Sequence, residues 1–418
     1  MKKLARQIVA AILAWQVRRL QKKNNFKVVA VAGSIGKTST KFAIANVLSA
    51  GLRVRYQEGN YNDLVTVPLI YFGRPEPSLF NPLAWLSVFI KNEIQLFKPC
   101  PYDVVVVEVG TDAPGQIIQF KKFLKAEIAV VTAITPEHME FFEDLNAVAV
   151  EELSISQMAS LTLLNKDYDH ATQTDGALTY AINQPADFQM SNIQFSKSGC
   201  DFDVLAGGKK IFKAEHEAFA EPQLYAILAA VAVAYKLGLD SQTIQQGLSN
   251  IQPVAGRMRR LPGINRSTII DDTYNASPEA VSAALKTLYR LPASQKIAIL
   301  GNMNELGKFS KAAHEEAGQF CDPKQLDLVV TIGPDANKYL APAAEANGCT
   351  VKVFDDPYSA GEFVKSQVKK GALILAKGSQ NKVFAEEAIK ILLTNPEDAS
   401  KLVRQSKYWL EVKRKNFK

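Results

Sequence analysis

The sequence offers no basis for disulfide or zinc chemistry. Its four cysteines, Cys100, Cys200, Cys321 and Cys349, lie far apart, with no CxxC and no Cys/His pair at zinc-ligand spacing. They read as reduced, buried thiols of a cytoplasmic protein. Low-complexity, collagen-like and broadly disordered stretches are also missing. The one apolar run near the N-terminus, residues 8–15, ends at Gln16. That is well short of the ~20 residues a membrane-spanning helix needs. No small-residue cleavage site follows it, and Arg18-Arg19 come next, which argues against a signal peptide. An amphipathic helix over residues 1–25 remains, packed on the first domain or lying on a membrane surface.

The chain has 418 residues, 47% of them apolar. This is ordinary for a protein that buries real cores, and at ~100–200 residues per domain it implies two or three domains. The formal net charge is +7. Basic residues crowd both ends: Lys2, Lys3, Arg6, Arg18, Arg19, Lys22 and Lys23 at one, Lys407, Lys413, Arg414, Lys415 and Lys418 at the other. Such ends are either solvated helix faces or attractors of an anionic membrane surface; nucleic acid is not expected as a partner.

Strand-like and helix-like segments alternate. Short Val/Ile/Ala runs at 27–32, 103–109, 128–132, 268–271, 296–300, 326–332 and 372–376 read as strands covered on both faces. Helical patterns fall at 40–49, 223–237, 239–251, 278–289, 311–321, 359–369 and 382–393. The alternation predicts α/β architecture with right-handed βαβ units and doubly wound sheets. A boundary near Pro253-Val254-Ala255-Gly256 separates domains at 26–254 and 255–418. Residues 81–97, apolar and aromatic-rich, form a further helix that is either buried, partner-packed or membrane-contacting.

Gly33-Ser34-Ile35-Gly36-Lys37-Thr38 follows a strand and opens a helix. In that setting glycines let backbone N–H groups converge on phosphate oxygens, and the helix N-terminus favours anions. Lys37 is suited to the β- and γ-phosphates of ATP, and the Thr38 hydroxyl to Mg²⁺. The loop departs from GxxxxGK[ST] at its first position, which is Val31. Glu108 ends a strand at the edge where open α/β sheets bind ligands. His138 follows the next strand, although imidazole is a soft ligand for Mg²⁺.

These segments resemble the Mur ligases, most of all the branch that adds D-alanyl-D-alanine. The resemblance rests on residues 32–41, on Glu58-Gly59-Asn60-Tyr61-Asn62, on Val107-Glu108-Val109-Gly110 with Pro114-Gly115, and on Glu137-His138-Met139-Glu140. In the second half it rests on Gly256-Arg257, residues 271–278, residues 300–307 with His314, and Lys377-Gly378-Ser379. It covers about residues 26–395. It implies a P-loop-type ATPase domain followed by a Rossmann-like C-terminal domain. It also implies an ATP-dependent amide-bond ligase that works through an acyl phosphate in cell-wall peptide synthesis. Lys37, Glu108 and His138 would be catalytic. Gly33, Ser34, Gly36, Lys37, Thr38, Ser39, Arg257, Asp272 and Asn275 would hold ATP. Thr38, Glu108 and His138 would hold Mg²⁺, and Asn60, Asn62, Asn302, Glu305, Lys377 and Ser379 would line the substrates.

Three departures bear on this. The phosphate loop begins at residue 33, which leaves no room ahead of it for the domain that holds a UDP sugar in the family. Where many members carry a carbamylated lysine, alignment from His138 places Glu152, a permanent carboxylate suited, like its neighbour Glu151, to a second Mg²⁺. Pro222 and Ala226 stand where a His and an Asn usually approach the nucleotide. Two other readings stay open: a poly-γ-glutamate-synthase-like ligase acting on another acid near the membrane, and an ATP-binding partner subunit of a ligase complex. The first draws on the N-terminal helix, and in the second residues 81–97 are the docking surface; residues 1–25 and 81–97 together are the candidate contacts with a membrane or a protein partner.

Overall fold

A computed structural model describes the chain apart from Met1, Glu58, Asn60, residues 169–173, Lys197 and Lys418. The chain divides into two compact units. Unit 1 holds Met1–Thr135, Phe141–Ala218 and Pro222–Gln252, and unit 2 holds Pro136–Glu140, Phe219–Glu221 and Pro253–Lys418.

Unit 1 runs α1 (Lys2–Lys23), β1 (Lys27–Ala32), α2 (Lys37–Leu48), β2 (Val54–Arg55), α3 (Thr66–Phe72), α4 (Pro82–Leu96), β3 (Val104–Glu108), β4 (Ala126–Val131) and α5 (Leu145–Leu153). There follow β5 (Ala159–Asn165), β6 (Leu178–Ala181), β7 (Phe188–Phe195), β8 (Cys200–Ala206), β9 (Lys209–His216), α6 (Glu221–Lys236) and α7 (Ser241–Leu248). Among the described residues the strands form one nine-stranded sheet in the order β2-β3-β1-β4-β5-β6-β7-β8-β9. Pairing is parallel from β2 to β7. Val/Ile runs explain this part, because β1 and β3 are buried on both faces and need helices above and below. The core joins Val29, Val106 and Val130 of the sheet to Ile44 of α2 and Leu228 of α6.

The antiparallel end, β7-β8-β9, was not foreseen. Along β7, buried and accessible residues alternate, so one face meets the core and the other meets water. The outermost strand, β9, pairs only with β8 among the described residues; Lys210 reaches Asp203 at 2.7 Å and Lys213 reaches Asp201 at 3.5 Å.

α1 packs on α3 and α4. Val9 and Leu13 of α1 meet Trp85 and Val88 of α4 together with Val65 and Leu69. Buried amides fix their register: Asn92 Nδ2 donates to Gln16 Oε1 at 2.9 Å, and Gln16 Nε2 donates to the Phe89 carbonyl at 3.0 Å. α1 thus buries one face against α3 and α4, while Leu4, Ile8 and Trp15 stay exposed among its basic residues. Among the described residues no helix is long and apolar enough to cross a membrane. α4 is capped by Asn81, whose side chain accepts from Ala84 N, with Pro82 at the first turn. Only one of its faces is buried.

Unit 2 runs β10 (Arg259–Pro262), β11 (Thr268–Asp272), α8 (Pro278–Arg290), β12 (Lys296–Gly301), α9 (Ser310–Gln319), β13 (Leu328–Ile332), α10 (Ala341–Ala346), β14 (Val351–Phe354), α11 (Pro357–Gln367), β15 (Leu373–Lys377), α12 (Glu386–Leu392) and α13 (Lys407–Asn416). The sheet order is β10-β11-β15-β12-β13-β14, parallel throughout except for β10. Two apolar layers cover its faces, as a doubly wound sheet requires. The helix expected from residue 382 starts only at Glu386, because Lys382 and Phe384 adopt left-handed backbone with φ of +63° and +49°.

α13 is tied down by buried charge. Arg404 holds both Glu386 carboxylate oxygens at 2.8 Å and donates to the Tyr274 carbonyl at 3.0 Å. Lys413 reaches Glu386 at 2.9 Å and Glu387 at 2.6 Å. Burial takes these charges out of water, so each depends on its partner. Glu386→Ala leaves Arg404 and Lys413 short of a counter-charge, and is expected to lower stability by about 3–5 kcal/mol, read from the denaturant midpoint. Lys401→Ala, which breaks a partly exposed pair with Asp398, should change it by less than about 1 kcal/mol.

Candidate active site

The first candidate site lies at the C-terminal edge of the unit 1 sheet. The parallel register places Val31 beside Glu108 and Ala32 beside Val131, so the ends of β1, β3 and β4 lie side by side. β1 runs into the loop 33–36, and α2 starts at Lys37, earlier than the helical pattern suggested. Gly33 has φ of +122°, and a Cβ there would stand 2.3 Å from Thr132 Oγ1 and 2.9 Å from Thr132 N. Only glycine fits. The loop rests on the segment after β4: Ser34 N donates to the Ala133 carbonyl at 2.6 Å, Thr132 Oγ1 to the Ile35 carbonyl at 2.6 Å, and Thr135 N to Ser34 Oγ at 3.2 Å.

Thr38 Oγ1 stands 3.3 Å from Glu108 Oε1. The other Glu108 oxygen is 3.3 Å from Lys41 Nζ, and both side chains are buried. Lys41 closes the matched segment 32–41 but received no role from the sequence; its position one helical turn after Lys37 is the further signal. Lys37 Nζ donates to the carbonyls of Gly33 and Ser34, the latter at 3.0 Å. Asn62 is brought to the same edge, since its carbonyl accepts from Gly110 N at 2.9 Å. Asn60 and Glu58 lie outside the described residues.

The paired glutamates of α5 have separate tasks. Glu152 Oε2 accepts from Gly33 N at 2.7 Å, which places it at the phosphate loop. Glu151 accepts from Gly115 N, Gln116 N and Ile117 N at 2.6, 2.9 and 2.6 Å and from Thr111 Oγ1 at 3.1 Å. Its oxygens are committed to the start of the helical turn at 117–122, so it is not the metal-ligand alternative the sequence allowed.

In unit 2, the expected residues gather at the ends of β11, β12 and β15. Asp272 pairs with Lys377 at 2.5 Å and accepts from Met258 N at 3.1 Å, and Lys377 also donates to the Asn275 carbonyl at 3.0 Å. Arg257 lies over the Tyr274 ring, 4.1 Å from its centroid. Asp271 accepts from Gly256 N at 3.0 Å and Thr273 Oγ1 at 2.6 Å; burial nonetheless pushes its carboxyl up to about 6. Asn302 and Ser379 are spent inside the fold: Asn302 Oδ1 accepts from Ala336 N at 2.8 Å, and Ser379 Oγ accepts from Asn304 N at 2.9 Å. Glu305, at φ of +64°, stands 2.7 Å from His138 Nδ1, and this contact holds its carboxyl below the usual range. His138 thus belongs to the short segment Pro136–Glu140 of unit 2. Among the described residues no three His, Cys, Asp or Glu side chains are grouped as a metal site.

Two family models match the chain: the Mur ligase middle domain over residues 31–234, and the Mur ligase glutamate ligase domain over residues 256–380. The chain belongs to the Mur ligase family. Among curated Mur ligases, the UDP-N-acetylmuramoyl-tripeptide–D-alanyl-D-alanine ligase of Bacillus subtilis is 26% identical over 88% of this chain and 76% of its own length. The counterpart from Synechocystis is 27% identical over 88% and 75%. A MurF ligase from Thermotoga maritima, solved in complex with ADP, superposes with a TM-score of 0.75 over 93% of this chain and 84% of that one, at 24% identity. This Mur ligase is an ATP-dependent enzyme that forms peptide-type amide bonds.

His314, which the family resemblance had included, has a defined structural task in this Mur ligase. Its Nδ1 donates to the Ser310 carbonyl at 2.8 Å and its Nε2 accepts from Met303 N at 3.0 Å, so the ring is neutral and holds the 302–305 segment. Burial lowers its pKa from the ordinary value of about 6.5. The unfolded chain binds this proton more readily, so His314 contributes stability above about pH 6.5 that is lost as pH falls through the folded pKa. His314→Gln is expected to flatten the melting temperature against pH below about 6.5, as measured by scanning calorimetry.

Proposed function

We propose that this chain joins the amino group of D-alanyl-D-alanine to a carboxylate of a cell-wall peptide precursor. The pairing of the phosphate loop with Glu108, in a chain whose curated relatives are D-alanyl-D-alanine ligases, carries the reading. The γ-phosphoryl group passes from ATP to a carboxylate oxygen of the precursor, and ADP departs. The amine nitrogen then attacks the acyl carbon of the acyl phosphate, inorganic phosphate leaves, and the nitrogen loses a proton. A carboxylate is a poor electrophile, and phosphorylation supplies its leaving group.

Gly33, Ser34, Gly36, Lys37, Thr38 and Ser39 cradle the phosphates, with Lys37 offsetting the repulsion between two anions. Arg257, Asp272 and Asn275 are the unit 2 nucleotide residues of this reading, and Asn60, Asn62, Asn302, Glu305, Lys377 and Ser379 its substrate residues. Asn302 and Ser379 act by shaping the β12 and β15 ends, because their side-chain oxygens are engaged within the fold.

The donor set at Thr38 and Glu108 fits Mg²⁺. Both are hard oxygen donors of the kind Mg²⁺ takes, they lie 3.3 Å apart at the phosphate loop, and they would hold the ion there. Mg²⁺ would supply charge neutralisation at the phosphates. His138 is the further ligand in this reading. Glu152 is the candidate for a second ion, and Glu152→Ala tests it. A changed Mg²⁺ titration of ATP turnover places Glu152 among the ligands. An unchanged titration with weaker nucleotide binding leaves it as the prop of Gly33 N alone.

The reaction runs in the cytoplasm, at the inner face of the membrane or against a protein partner, through residues 1–25 and 81–97. The whole reading is tested by phosphate release. Candidate carboxyl substrates are crossed with amines, and D-alanyl-D-alanine should give release well above other amines, with Lys37→Ala as the blank. Loss of a P-loop lysine removes the charge offset, so release in that variant should fall by roughly a hundredfold or more. Release that prefers a glutamate acceptor instead would point to the poly-γ-glutamate type. No release with any pair would point to a partner subunit.

A further inference from the structure

α1 and α4 each bury one face and leave the opposite face apolar. On α4 the exposed residues are Leu83, Leu86, Ile90, Ile94 and Phe97; each is more than half exposed. Their spacing of three and four residues puts them on one stripe of the helix, opposite buried Trp85, Val88 and Leu96. On α1, exposed Leu4, Ile8 and Trp15 lie opposite buried Val9, Leu13 and Val17. The two stripes adjoin: Lys23 of α1 lies over the Phe97 ring at 5.4 Å, and Arg19 lies over Trp15 at 4.4 Å while holding Glu93 of α4 at 2.5 Å.

Charge tells what covers this face. Residues 1–25 hold seven of the 49 Lys and Arg and none of the 42 Asp and Glu. The remaining chain is balanced, so the whole formal net charge of +7 resides in this segment. Arg18 donates to the Lys122 carbonyl at 3.0 Å, which brings exposed Lys121, Lys122 and Lys125 to the same end of α1. Glu93 is the single acidic residue of α4, and Arg19 neutralises it. A protein partner or second copy would have to match a wide cationic rim around an apolar stripe. A bilayer with anionic headgroups does so by its nature, taking the apolar side chains between acyl chains and the lysines at the headgroups.

We propose that the α1–α4 face binds the surface of an anionic lipid bilayer and lies flat on it. This deepens the contact named above for residues 1–25 and 81–97, and it holds whichever acid the ligase activates. The test is co-sedimentation of the full chain with vesicles of phosphatidylcholine alone or mixed with phosphatidylglycerol. Binding is expected to the mixed vesicles, to be at least about tenfold weaker to phosphatidylcholine alone, and to weaken as salt shortens the Debye length from about 10 Å at 0.1 M. Ile90→Glu/Ile94→Glu should abolish binding, and Arg18→Glu/Lys22→Glu should remove the preference for phosphatidylglycerol. All four positions lie on the surface, so melting temperature and ATP turnover in vesicle-free buffer should match the parent. Those two readouts separate failure here from failure of the ligase reading. No binding to mixed vesicles, or binding that these variants leave unchanged, overturns the proposal. So does a dimer in solution that Ile90→Glu/Ile94→Glu converts to monomer without any lipid binding, which would assign the face to a second copy.

Discussion

At the end of β1 the backbone at Gly33 passes Thr132 so closely that a single methyl group would collide with the hydroxyl and the amide. Much of unit 1 is arranged around this approach. It lets the strand turn at once into α2, and it lets the loop borrow hydrogen bonds from residues 132–135 in place of a full glycine-rich motif. The departure at Val31 is thereby explained. That residue is still inside the strand, buried and paired in register with Glu108, and the loop needs glycine only from residue 33 onward. Glu152 closes the arrangement by taking the first loop amide.

A second regularity is the burial of charge in pairs, two of them at strand ends and one at the start of α12. Lys41 with Glu108, Lys377 with Asp272, and Arg404 and Lys413 with Glu386 are all withdrawn from water. Each buried ion depends on its partner for solvation, which fixes side chains in place at some expense in stability. In unit 2 the arrangement extends from the last helix to the strand that carries Asp272. Arg404 grips Glu386 with one side of its guanidinium and the Tyr274 carbonyl with the other, and Tyr274 in turn carries Arg257 on its ring. The nucleotide candidates are therefore held by residues far along the chain.

The parallel strands β1, β3, β4, β11, β12, β13 and β15 were legible because burial on both faces leaves unbroken Val/Ile runs, as at 104–108 and 373–377. The parallel strands β2, β5, β6 and β14 were not, being short or only partly buried. In β7 to β9 polar residues alternate with apolar ones, and Asp, Lys and Gln within them hide the strands among loop-like composition. The basic C-terminal end reads as a solvated helix face, yet α13 buries Lys413, a type that ordinarily signals solvent. At the candidate site, Gly33 to Thr38 and Glu108 could be read from motif and strand position. The pairing of Lys41 could not, because a lysine on a helix gives no sign of the carboxylate it will meet across a sheet. Glu151 and Glu152 are neighbours in sequence with similar prospects. Only the fold shows that one anchors residues 115–117 and the other the phosphate loop.

The outermost strand of the nine-stranded sheet has a consequence for solubility. Among the described residues β9 pairs with β8 alone, so one row of its backbone groups lies outside the hydrogen bonding of the sheet, where a strand of another copy could add. Lys209, Lys210 and Lys213 are exposed along it, and two of them lean back onto aspartates of β8. Charged side chains on an open edge repel a like strand and discourage the cross-chain pairing that seeds aggregates. The ion pairs that join β9 to β8 thus sit beside a guard against the sheet growing beyond its own chain.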